Sequence, residues 1–497
     1  MAQLAHVPSD QQQVIYKEFE EGTGNVVIIA RAGVGKTTTA VSGIQFASER
    51  KILFTCFNKK IEIEGNKKLA ALGMKDKAKY QTFHSLGCGV VMRFWEGVRV
   101  CENFERSNNL TNAVCGGTAP DAIKRLISKL HTLGREILPH ARKAEELFDL
   151  AVQMECVPDE QWEKDGFDLT FVCRKSVEAM ELAASEKPKD GFIDYSDMIF
   201  LPVRNKWLSK IYDMVIVDEG QDLTGAKLEL SKGVCRGRMM IIGDNMQAIY
   251  AFLGASMDML DQLKLQLDAK ELRLTKTFRC GKAIVREAQV LVPDFEAADG
   301  NHEGEVIDLP VADLVPTAGP GDFILSRLNA PLVSFAMRLL RNGKRTKIAG
   351  KNIGKGLIDL IRKFRARSVP DLLTKITNWE KNEQARLKAR YADKLDSPAY
   401  TTRSEAITDQ SVMLAEITET CKNVDEVTQK ILALFTDDGL GDAGVITCSS
   451  VHKSKGLEAK RVFVLMDTLR DYNQEELNIK YVAITRAINT LFYVRGL

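Results

Sequence analysis

The chain has 497 residues, too many for one hydrophobic core, which predicts about two to four domains. Hydrophobic residues make up 45% and charged residues 27%, as in an ordinary soluble globular protein. Lys plus Arg (69) nearly balance Asp plus Glu (67), so the net charge of +2 excludes recognition of an anionic partner by overall charge and leaves only a local basic patch.

The N-terminus and the cysteines favour a cytosolic protein. The first residues, MAQLAHVPSDQQQ, lack a basic segment followed by an apolar one, so no signal peptide is expected. No apolar run approaches the ~20 residues that a membrane-spanning helix needs. The ten cysteines form neither CxxC pairs nor a zinc-like His/Cys pattern, which favours a reducing compartment.

Short apolar runs that end in polar or acidic residues recur along the chain, separated by helix-like stretches. This alternation is typical of buried parallel strands in α/β units. The runs form one group before about residue 275 and another after it, which predicts two α/β domains. The predicted strands are VVIIA (26–30), ILFTCF (52–57), MVIVDE (214–219), MMIIGD (239–244), FILSR (323–327), VFVLMD (462–467) and LFYV (491–494).

Two long stretches lack this rhythm and are predicted to be mainly helical. They are residues 89–190 and 353–440, both of which interrupt the strand pattern. We therefore expect a first α/β domain over 1–88 and 191–275 with the insertion 89–190. The second α/β domain is expected over 276–352 and 441–497 with the insertion 353–440.

The first predicted strand runs into a phosphate-binding motif. The segment ARAGVGKT (30–37) fits the phosphate loop, except that its first glycine is alanine. Small residues let backbone N–H groups approach phosphates, Lys36 reaches the β/γ oxygens and Thr37 can ligate Mg²⁺. The alternative is a tight turn with an incidental lysine, which the order of strand, loop and helix makes the minor interpretation.

A pair of acids supplies what such a loop needs for hydrolysis. In DMVIVDEGQD (213–222), Asp218 follows an apolar strand and can hold Mg²⁺, while Glu219 can orient an attacking water. Alone, these acids would fit an ordinary acidic loop. Together with the phosphate loop they predict hydrolysis of ATP or GTP, without indicating its purpose.

Further segments follow the acids along the chain. They are IIGDNMQAIYAFLGA (241–255), LTKTFRC (274–280), SSVHKSKGLEAKRVFV (449–464) and YVAITRA (481–487). Together with the phosphate loop and the acids, these segments resemble, in the same order, the motifs of superfamily 1 helicases of the UvrD/Rep/PcrA-like family. The early segments CFNKKIE and TFHSLG are most similar to short phage-encoded or F-box-type members. The resemblance implies an α/β fold of two RecA-like P-loop domains, each with a mainly helical insertion, and ATP bound in the cleft between them.

The resemblance implies ATP and Mg²⁺ as cofactors and assigns their residues. Gln12 would read the adenine edge, Phe278 would stack on adenine where the family has tyrosine, and Glu458 would lie near the ribose or phosphates. Thr37 and Asp218 would hold the metal. The implied catalytic residues are Lys36, Asp218, Glu219, the γ-phosphate sensor Gln247, and the arginine fingers Arg279 and Arg486. The implied nucleotide-binding residues are Gln12, Ala30, Arg31, Ala32, Gly33, Val34, Gly35, Lys36, Thr37, Thr38, Phe278 and Glu458.

The resemblance also implies a track for single-stranded DNA, on which aromatic faces stack without sequence preference. For Phe83 and Tyr250, packing in the core is an equal alternative to DNA binding. His84 and His452 could equally well form structural hydrogen bonds. A basic run over 341–368, with ten Lys/Arg and one acid, fits either a DNA contact or a solvated face. The implied track residues are Phe57, Asn58, Thr82, Phe83, His84, Tyr250, Phe252 and His452.

Besides Ala30 and Phe278, three further positions depart from the family pattern. Arg31 replaces a glycine of the phosphate loop, and Thr38 stands where many members have an arginine against the adenine. Leu253 replaces an arginine that couples the DNA and nucleotide sites. Lys455, beside His452, lies in a segment that carries the same coupling.

The sequence therefore predicts an ATP-dependent DNA helicase or translocase, with 3′-to-5′ movement implied by the resemblance. Its expected partners are single-stranded DNA and single-strand/duplex junctions, with protein partners at the helical insertions and no membrane. A monomer is expected, in a bacterial or phage-infected cytoplasm, or in a nucleus for a eukaryotic source. The alternatives are a translocase that displaces proteins with little unwinding, a P-loop enzyme acting on a small substrate, and a non-catalytic DNA-binding scaffold.

Overall fold

The structure is a computed structural model that describes residues 7–101, 105–117, 119–158, 160–249, 258–391, 395, 397–437 and 442–497. The chain divides into two compact units. The first comprises Met1–Arg31 and Gly35–Thr275, and the second comprises Ala32–Val34 and Lys276–Leu497. None of the helices in the described ranges combines the length and the apolarity that crossing a bilayer requires.

The first unit is built around a parallel sheet. Its strands are β1 Val26–Ala30, β2 Ile52–Cys56, β3 Ala78–Thr82, β4 Arg99–Val100, β5 Phe192–Ile193, β6 Tyr212–Val217, β7 Cys235–Gly243 and β8 Lys270–Leu274. Among the described residues, six of them form the order β3-β2-β6-β7-β1-β8, and β4 pairs separately with β5. Every pairing is parallel, so the carboxyl ends of β6, β7 and β1 lie side by side.

Helices cover the sheet of the first unit and form a second layer of their own. They are α1 Asp10–Glu21, α2 Lys36–Gly43, α3 Lys59–Ala71, α4 Phe83–Phe94, α5 Glu105–Cys115, α6 Asp121–Ile137, α7 Phe148–Gln153, α8 Glu160–Lys164, α9 Leu169–Ser185, α10 Tyr195–Arg204, α11 Gly225–Val234 and α12 Met259–Gln266. Leu53, Val215 and Ile241 lie in a core against the sheet. Ile127 and Met180 lie in a separate core of the helical region.

A buried charge cluster fixes the helical region to α10. The guanidinium of Arg135 in α6 donates to the carboxylates of Asp194 and Asp197 over 2.7–2.9 Å. Arg106 in α5 donates to the second oxygen of Asp197 at 3.0 Å. Arg135 and Asp197 are fully buried, so each charge relies on its partners rather than on water.

The second unit contains another parallel sheet. Its strands are β9 Lys276–Thr277, β10 Glu296–Ala297, β11 Glu305–Pro310, β12 Phe323–Ser326, β13 Thr346–Ala349, β14 Phe435–Thr436, β15 Ile446–Ser450, β16 Ala459–Leu465 and β17 Ala487–Arg495. Among the described residues, seven follow the order β11-β17-β16-β12-β15-β13-β14, while β9 pairs with β10. The helices are α13 Lys282–Gln289, α14 Val311–Thr317, α15 Ala330–Arg341, α16 Lys351–Phe364, α17 Val369–Arg390, α18 Pro398–Glu419, α19 Val424–Leu434 and α20 Gln474–Ile484.

The helices of 353–440 share the core of their sheet. Ile324 and Phe463 from the strands lie in the same apolar cluster as Leu372 of α17 and Leu414 of α18. In the first unit, by contrast, the helices between β4 and β5 pack around their own cluster. The helical content predicted for 89–190 and 353–440 is confirmed.

All seven apolar runs predicted as strands are strands, but several strands escaped prediction. β8 and β11 are edge strands with partly or fully exposed residues; β8 is mostly polar, and Asp308 interrupts the apolar residues of β11. β15 is a fully buried inner strand, yet its sequence ITCSS carries hydroxyl side chains in place of an apolar run. Hydrophobicity alone therefore finds the strands with an apolar run and misses strands that contain polar side chains, at the edge or inside the sheet.

We predict that Arg135→Ala lowers the free energy of unfolding by about 3–5 kcal/mol, because it removes the cation that the buried carboxylates of Asp194 and Asp197 share. The matched control is Arg174→Ala, which removes an exposed pair with Glu178 one helical turn away and should cost less than about 1 kcal/mol. Urea unfolding followed by tryptophan fluorescence measures both, since three of the four tryptophans lie in the first unit. Equal losses in the two variants would contradict the assignment.

Candidate active site

The loop between β1 and α2 has the backbone shape of a phosphate-binding turn. Gly33 and Gly35 adopt left-handed conformations with φ of 68° and 78°, which glycine adopts without the strain of a side chain. Gly35 caps the N-terminus of α2, and a Cβ there would lie 3.7 Å from the side-chain nitrogen of Gln12. The loop delivers Lys36 and Thr37 to the first turn of α2, where helix N–H groups and the helix dipole favour an anion.

Lys36 forms an ion pair with the acid that follows β6. Its ammonium lies 3.0 Å from Glu219 Oε1. Burial alone would lower the pKa of Lys36, but the carboxylates of Glu219, Asp218 and Asp244 outweigh it, and the pKa lies above its usual value. Lys36 is thus held as a cation in surroundings that exclude much of the water, which is the state that phosphate binding needs.

Asp218 and Thr37 bring oxygen ligands together beside this pair. The buried Asp218 accepts a hydrogen bond from the side chain of Thr37. Burial and the neighbouring Glu219 carboxylate raise the pKa of Asp218 to about 6. A carboxylate and a hydroxyl are the hard ligands that Mg²⁺ accepts, and Mg²⁺ usually completes its shell with water and phosphate oxygens. The residues present therefore fit this metal.

Glu219 has a strained backbone that neighbouring hydrogen bonds hold in place. Its φ of 54° lies in the left-handed region, which costs a residue with a side chain roughly 1–2 kcal/mol. Its second carboxylate oxygen accepts from the Gln221 side chain at 2.6 Å, and its own N–H donates to Asp218 at 3.0 Å. Such strain concentrates where orientation matters, and here it aims the carboxylate at Lys36.

Gln221 lies in the same motif as Glu219, but the sequence pattern does not predict its role. Gln221 is fully buried; its amide nitrogen donates to Glu219 and its amide oxygen accepts from the backbone N–H of Asp244 at 2.9 Å. It therefore joins the acid after β6 to the turn after β7. Its place two residues after Glu219 in DEGQD was the available signal, but spacing does not reveal which groups a buried amide bridges.

The turn after β7 carries Gln247 beside a buried carboxylate. Asp244 is fully buried and accepts from the Gln247 side chain at 2.9 Å and from the guanidinium of Arg31 at 2.7 Å. Arg31, predicted only as part of the nucleotide-binding loop, is thus directed to a specific acid. The predicted sensor and the phosphate loop meet at one carboxylate.

The remaining predicted nucleotide residues of the first unit lie around α1 and α2. The Gln12 amide accepts from the N–H of Ser9 at 3.0 Å, as part of the cap of α1, and donates to Thr39 at 2.9 Å. Thr38 lies in the first turn of α2. Ala30 ends β1, and both Ala32 and Val34 are buried.

In the second unit, the two predicted arginine fingers have internal partners. Arg279 forms an ion pair with Glu458, with 2.5 Å between Nε and Oε2. Arg486 is buried and donates to the carbonyl oxygens of Val482 and Leu457 at 3.0 and 3.1 Å. Phe278 is 50% exposed, so a large part of this apolar residue is in contact with solvent.

Several predicted DNA residues form an aromatic cluster at the ends of β2 and β3. The rings of Phe57 and Phe83 meet edge to face at 5.2 Å. Phe83 is only 1% exposed, so its position favours the core-packing alternative, in which it supports Phe57. Asn58 and Thr82 cap α3 and α4 by accepting from the backbone N–H groups of the first turn.

Two residues that the sequence analysis did not single out extend this cluster. The ammonium of Lys227 lies 5.3 Å from the centre of the Phe57 ring, and Tyr195 meets the ring of His84 edge to face at 5.6 Å. Burial and the nearby Lys227 lower the pKa of His84, which favours its neutral form. Tyr195 lies two residues after the short strand β5, whose two apolar residues are too few to predict a strand, so the sequence pattern gives no signal for it.

Four further residues singled out in the sequence are His452, Tyr250, Phe252 and Leu253. Burial lowers the pKa of His452 in the second unit to about 4, so its ring is neutral near pH 7. Tyr250 and Phe252, predicted to contact DNA, lie outside the described residues, as does Leu253.

Two stretches of the chain match known families. Residues 9–268 match the UvrD/REP helicase N-terminal domain, and residues 445–494 match the UvrD-like helicase C-terminal domain. The first match alone covers more than half of the chain and contains Lys36, Asp218 and Gln247. The chain belongs to the UvrD/REP helicase family.

Individual relatives support this membership at low identity. F-box DNA helicase 1 of Gallus gallus is 25% identical over 98% of this chain and 49% of its own length. The ATP-dependent DNA helicase Rep of Escherichia coli is 25% identical over 57% of this chain and 43% of its own length. The F-box DNA helicase protein 1 of Schizosaccharomyces pombe is 28% identical over 56% of this chain and 33% of its own length. The matches thus span less than half the length of each of these UvrD/REP relatives.

We predict that Gln221→Leu reduces kcat for ATP hydrolysis about 10- to 100-fold, because Glu219 loses a hydrogen bond that holds its carboxylate. The matched control is Gln13→Leu on the exposed face of α1, which should leave kcat unchanged. Steady-state phosphate release measures both. Equal kcat in the Gln221 variant and the unsubstituted protein would show that Gln221 does not position Glu219.

Proposed function

We propose that this protein is an ATP-dependent DNA helicase or translocase that moves along single-stranded DNA in the 3′-to-5′ direction. The observation that carries the proposal is the ion pair between Lys36 and Glu219. Beside it, the Thr37 side chain donates a hydrogen bond to Asp218. These four groups lie within the stretch matched to the UvrD/REP family. The direction rests on the family resemblance.

Each group has a chemical task in ATP hydrolysis. Lys36 and the N–H groups of the first turn of α2 bind the β- and γ-phosphates. Glu219 accepts a proton from the attacking water, and the hydrogen bond from Gln221 orients it. Gln247 contacts the γ-phosphate, and Arg279 and Arg486 are assigned as the arginine fingers.

Thr37 and Asp218 are the residues that would hold Mg²⁺. When bound, the ion supplies positive charge against the phosphate oxygens. Because Asp218 already accepts from Thr37, both oxygens are close enough to serve one small cation. Gln12 and the half-exposed Phe278 are proposed as contacts for the adenine.

The DNA track is proposed to pass over the aromatic cluster of the first unit. Phe57, His84 and Tyr195 offer ring faces for base stacking, and Lys227 adds a positive charge beside Phe57. His452, Asn58 and Thr82 are kept as secondary candidates. The two units are proposed to be RecA-like, with 89–190 and 353–440 as insertions that offer surface for protein partners.

A second candidate, a translocase that displaces proteins with little unwinding, is favoured by Leu253. This residue stands where the family has an arginine that couples the DNA and nucleotide sites. The two candidates share ATP hydrolysis and movement, and they differ in strand separation. A duplex substrate therefore discriminates between them.

We predict that single-stranded DNA stimulates ATP hydrolysis at least about tenfold and that Lys36→Ala abolishes the hydrolysis, because the cation on the phosphates is lost. A duplex with a 3′ tail should be unwound and one with a 5′ tail should not. Stimulated hydrolysis without unwinding would select the protein-displacing translocase. Hydrolysis that is indifferent to DNA would overturn the motor proposal.

Tyr195→Ala should weaken binding of single-stranded DNA by about 1–3 kcal/mol, the value of one base stacked on an aromatic ring. Tyr195 is 48% exposed, so its removal should hardly affect folding. Tyr472→Ala in the second unit is the matched control, since Tyr472 is also 48% exposed. Fluorescence anisotropy with a labelled oligonucleotide measures the affinities, and equal values for the two variants would remove Tyr195 from the track.

A further inference from the structure

The phosphate loop carries an unusual charged residue. Arg31 follows directly after β1, at a position where small residues normally let the backbone approach phosphate. Its side chain is only 11% exposed and forms an ion pair with Asp244, which is 0% exposed. Both residues belong to the first unit. Burying two charges costs desolvation free energy, so this ion pair calls for a structural or functional explanation.

Asp244 connects this arginine to the predicted γ-phosphate sensor. One carboxylate oxygen accepts from Arg31 at 2.7 Å, and the other accepts from the Gln247 amide at 2.9 Å. The first oxygen also accepts from the N–H of Met246, which fixes the short 3₁₀ turn Asn245–Gln247. Arg31 therefore anchors the carboxylate on which both the turn and the Gln247 side chain depend.

The same carboxylate residue belongs to a chain of contacts that returns to the phosphate loop. The backbone N–H of Asp244 donates to Gln221, Gln221 donates to Glu219, and Glu219 pairs with Lys36. The loop is thereby tied at its start through Arg31 and at its end through Lys36. The planar guanidinium suits this task because it presents donors in a fixed direction.

We propose that Arg31 is a positioning residue that, through Asp244, aims the Gln247 amide at the γ-phosphate and so makes the site prefer ATP to ADP. The proposal rests on the ATP hydrolysis proposed above. Arg31 acts through Gln247 and not by contacting the phosphates. The preference for the triphosphate should then depend on Arg31 and Gln247 together.

The test compares Arg31→Gln, Gln247→Ala and the double variant. Each single change should weaken binding of a non-hydrolysable ATP analogue about tenfold, the effect of one lost hydrogen bond, and leave ADP affinity within about twofold. In the double variant the loss of affinity for the ATP analogue should be smaller than the product of the two single losses. Both changes disrupt the same interaction, that of the Gln247 amide with the γ-phosphate. The value of kcat should fall in parallel, and Arg31→Lys should restore part of it, because the cation is retained.

Two results would overturn the proposal. Equal weakening of ADP and the ATP analogue in Arg31→Gln would mean that Arg31 acts on the loop or on the shared phosphates. Losses that multiply in the double variant would mean that Arg31 and Gln247 act independently. Binding is read by calorimetry, so the result stands even where the unsubstituted protein hydrolyses no ATP, an outcome that would overturn only the proposed function.

A folding control keeps the test decisive. Thermal unfolding is compared in all variants, since Arg31→Gln leaves Asp244 buried without its cation. The combination Arg31→Gln with Asp244→Asn replaces the ion pair by two neutral groups that can hydrogen-bond. If Arg31→Gln does not fold, this combination and Arg31→Lys give the binding comparison, with the same outcomes supporting or overturning the proposal.

Discussion

The ion pair between Lys36 and Glu219 is the contact on which the rest of the site depends. It joins the loop after β1 to the acid after β6, and β7 lies between these strands in the sheet. Because parallel strands end at one edge, groups that are nearly 200 residues apart in sequence meet there. An ion pair exposed to water would contribute little to stability. Inside the protein each charge depends on its partner, so the pair holds the loop to the sheet.

This dependence extends through the polar groups around the pair. Glu219 occupies a left-handed backbone conformation, and Gln221 and Lys36 bind both of its carboxylate oxygens. Asp244 forms an ion pair with Arg31 and also accepts a hydrogen bond from the Gln247 side chain. A triphosphate bound as proposed would compete for Lys36 and thereby disturb a network that already includes Glu219 and the predicted sensor Gln247. Hydrogen bonds in such a network polarise one another, which supports the proposed coupling of hydrolysis to movement.

Much of this arrangement could be predicted from the sequence, and the reasons for the failures are physical. Seven strands are predicted because their sequences contain apolar runs, and Lys36, Thr37, Asp218 and Glu219 lie at fixed places after two of them. The edge strand β8 and the hydroxyl-rich inner strand β15 are missed, because polar side chains interrupt or replace the apolar run. The pairing of Arg31 with Asp244 could not be predicted either, because a contact between residues 213 positions apart depends on the fold. Phe83 is buried in the core against the sheet, where its ring also meets Phe57, and spacing does not reveal this packing.

The central claim is that hydrolysis at this site drives directed movement along a single strand, and arrival kinetics test it most directly. Oligonucleotides of increasing length carry a fluorophore at either the 5′ or the 3′ end, and ATP is added to the bound protein in a stopped-flow instrument. The account predicts a delay that grows in proportion to length for the 5′ label and no such delay for the 3′ label. A signal with the same timing at every length would contradict translocation, and a delay confined to the 3′ label would reverse the direction.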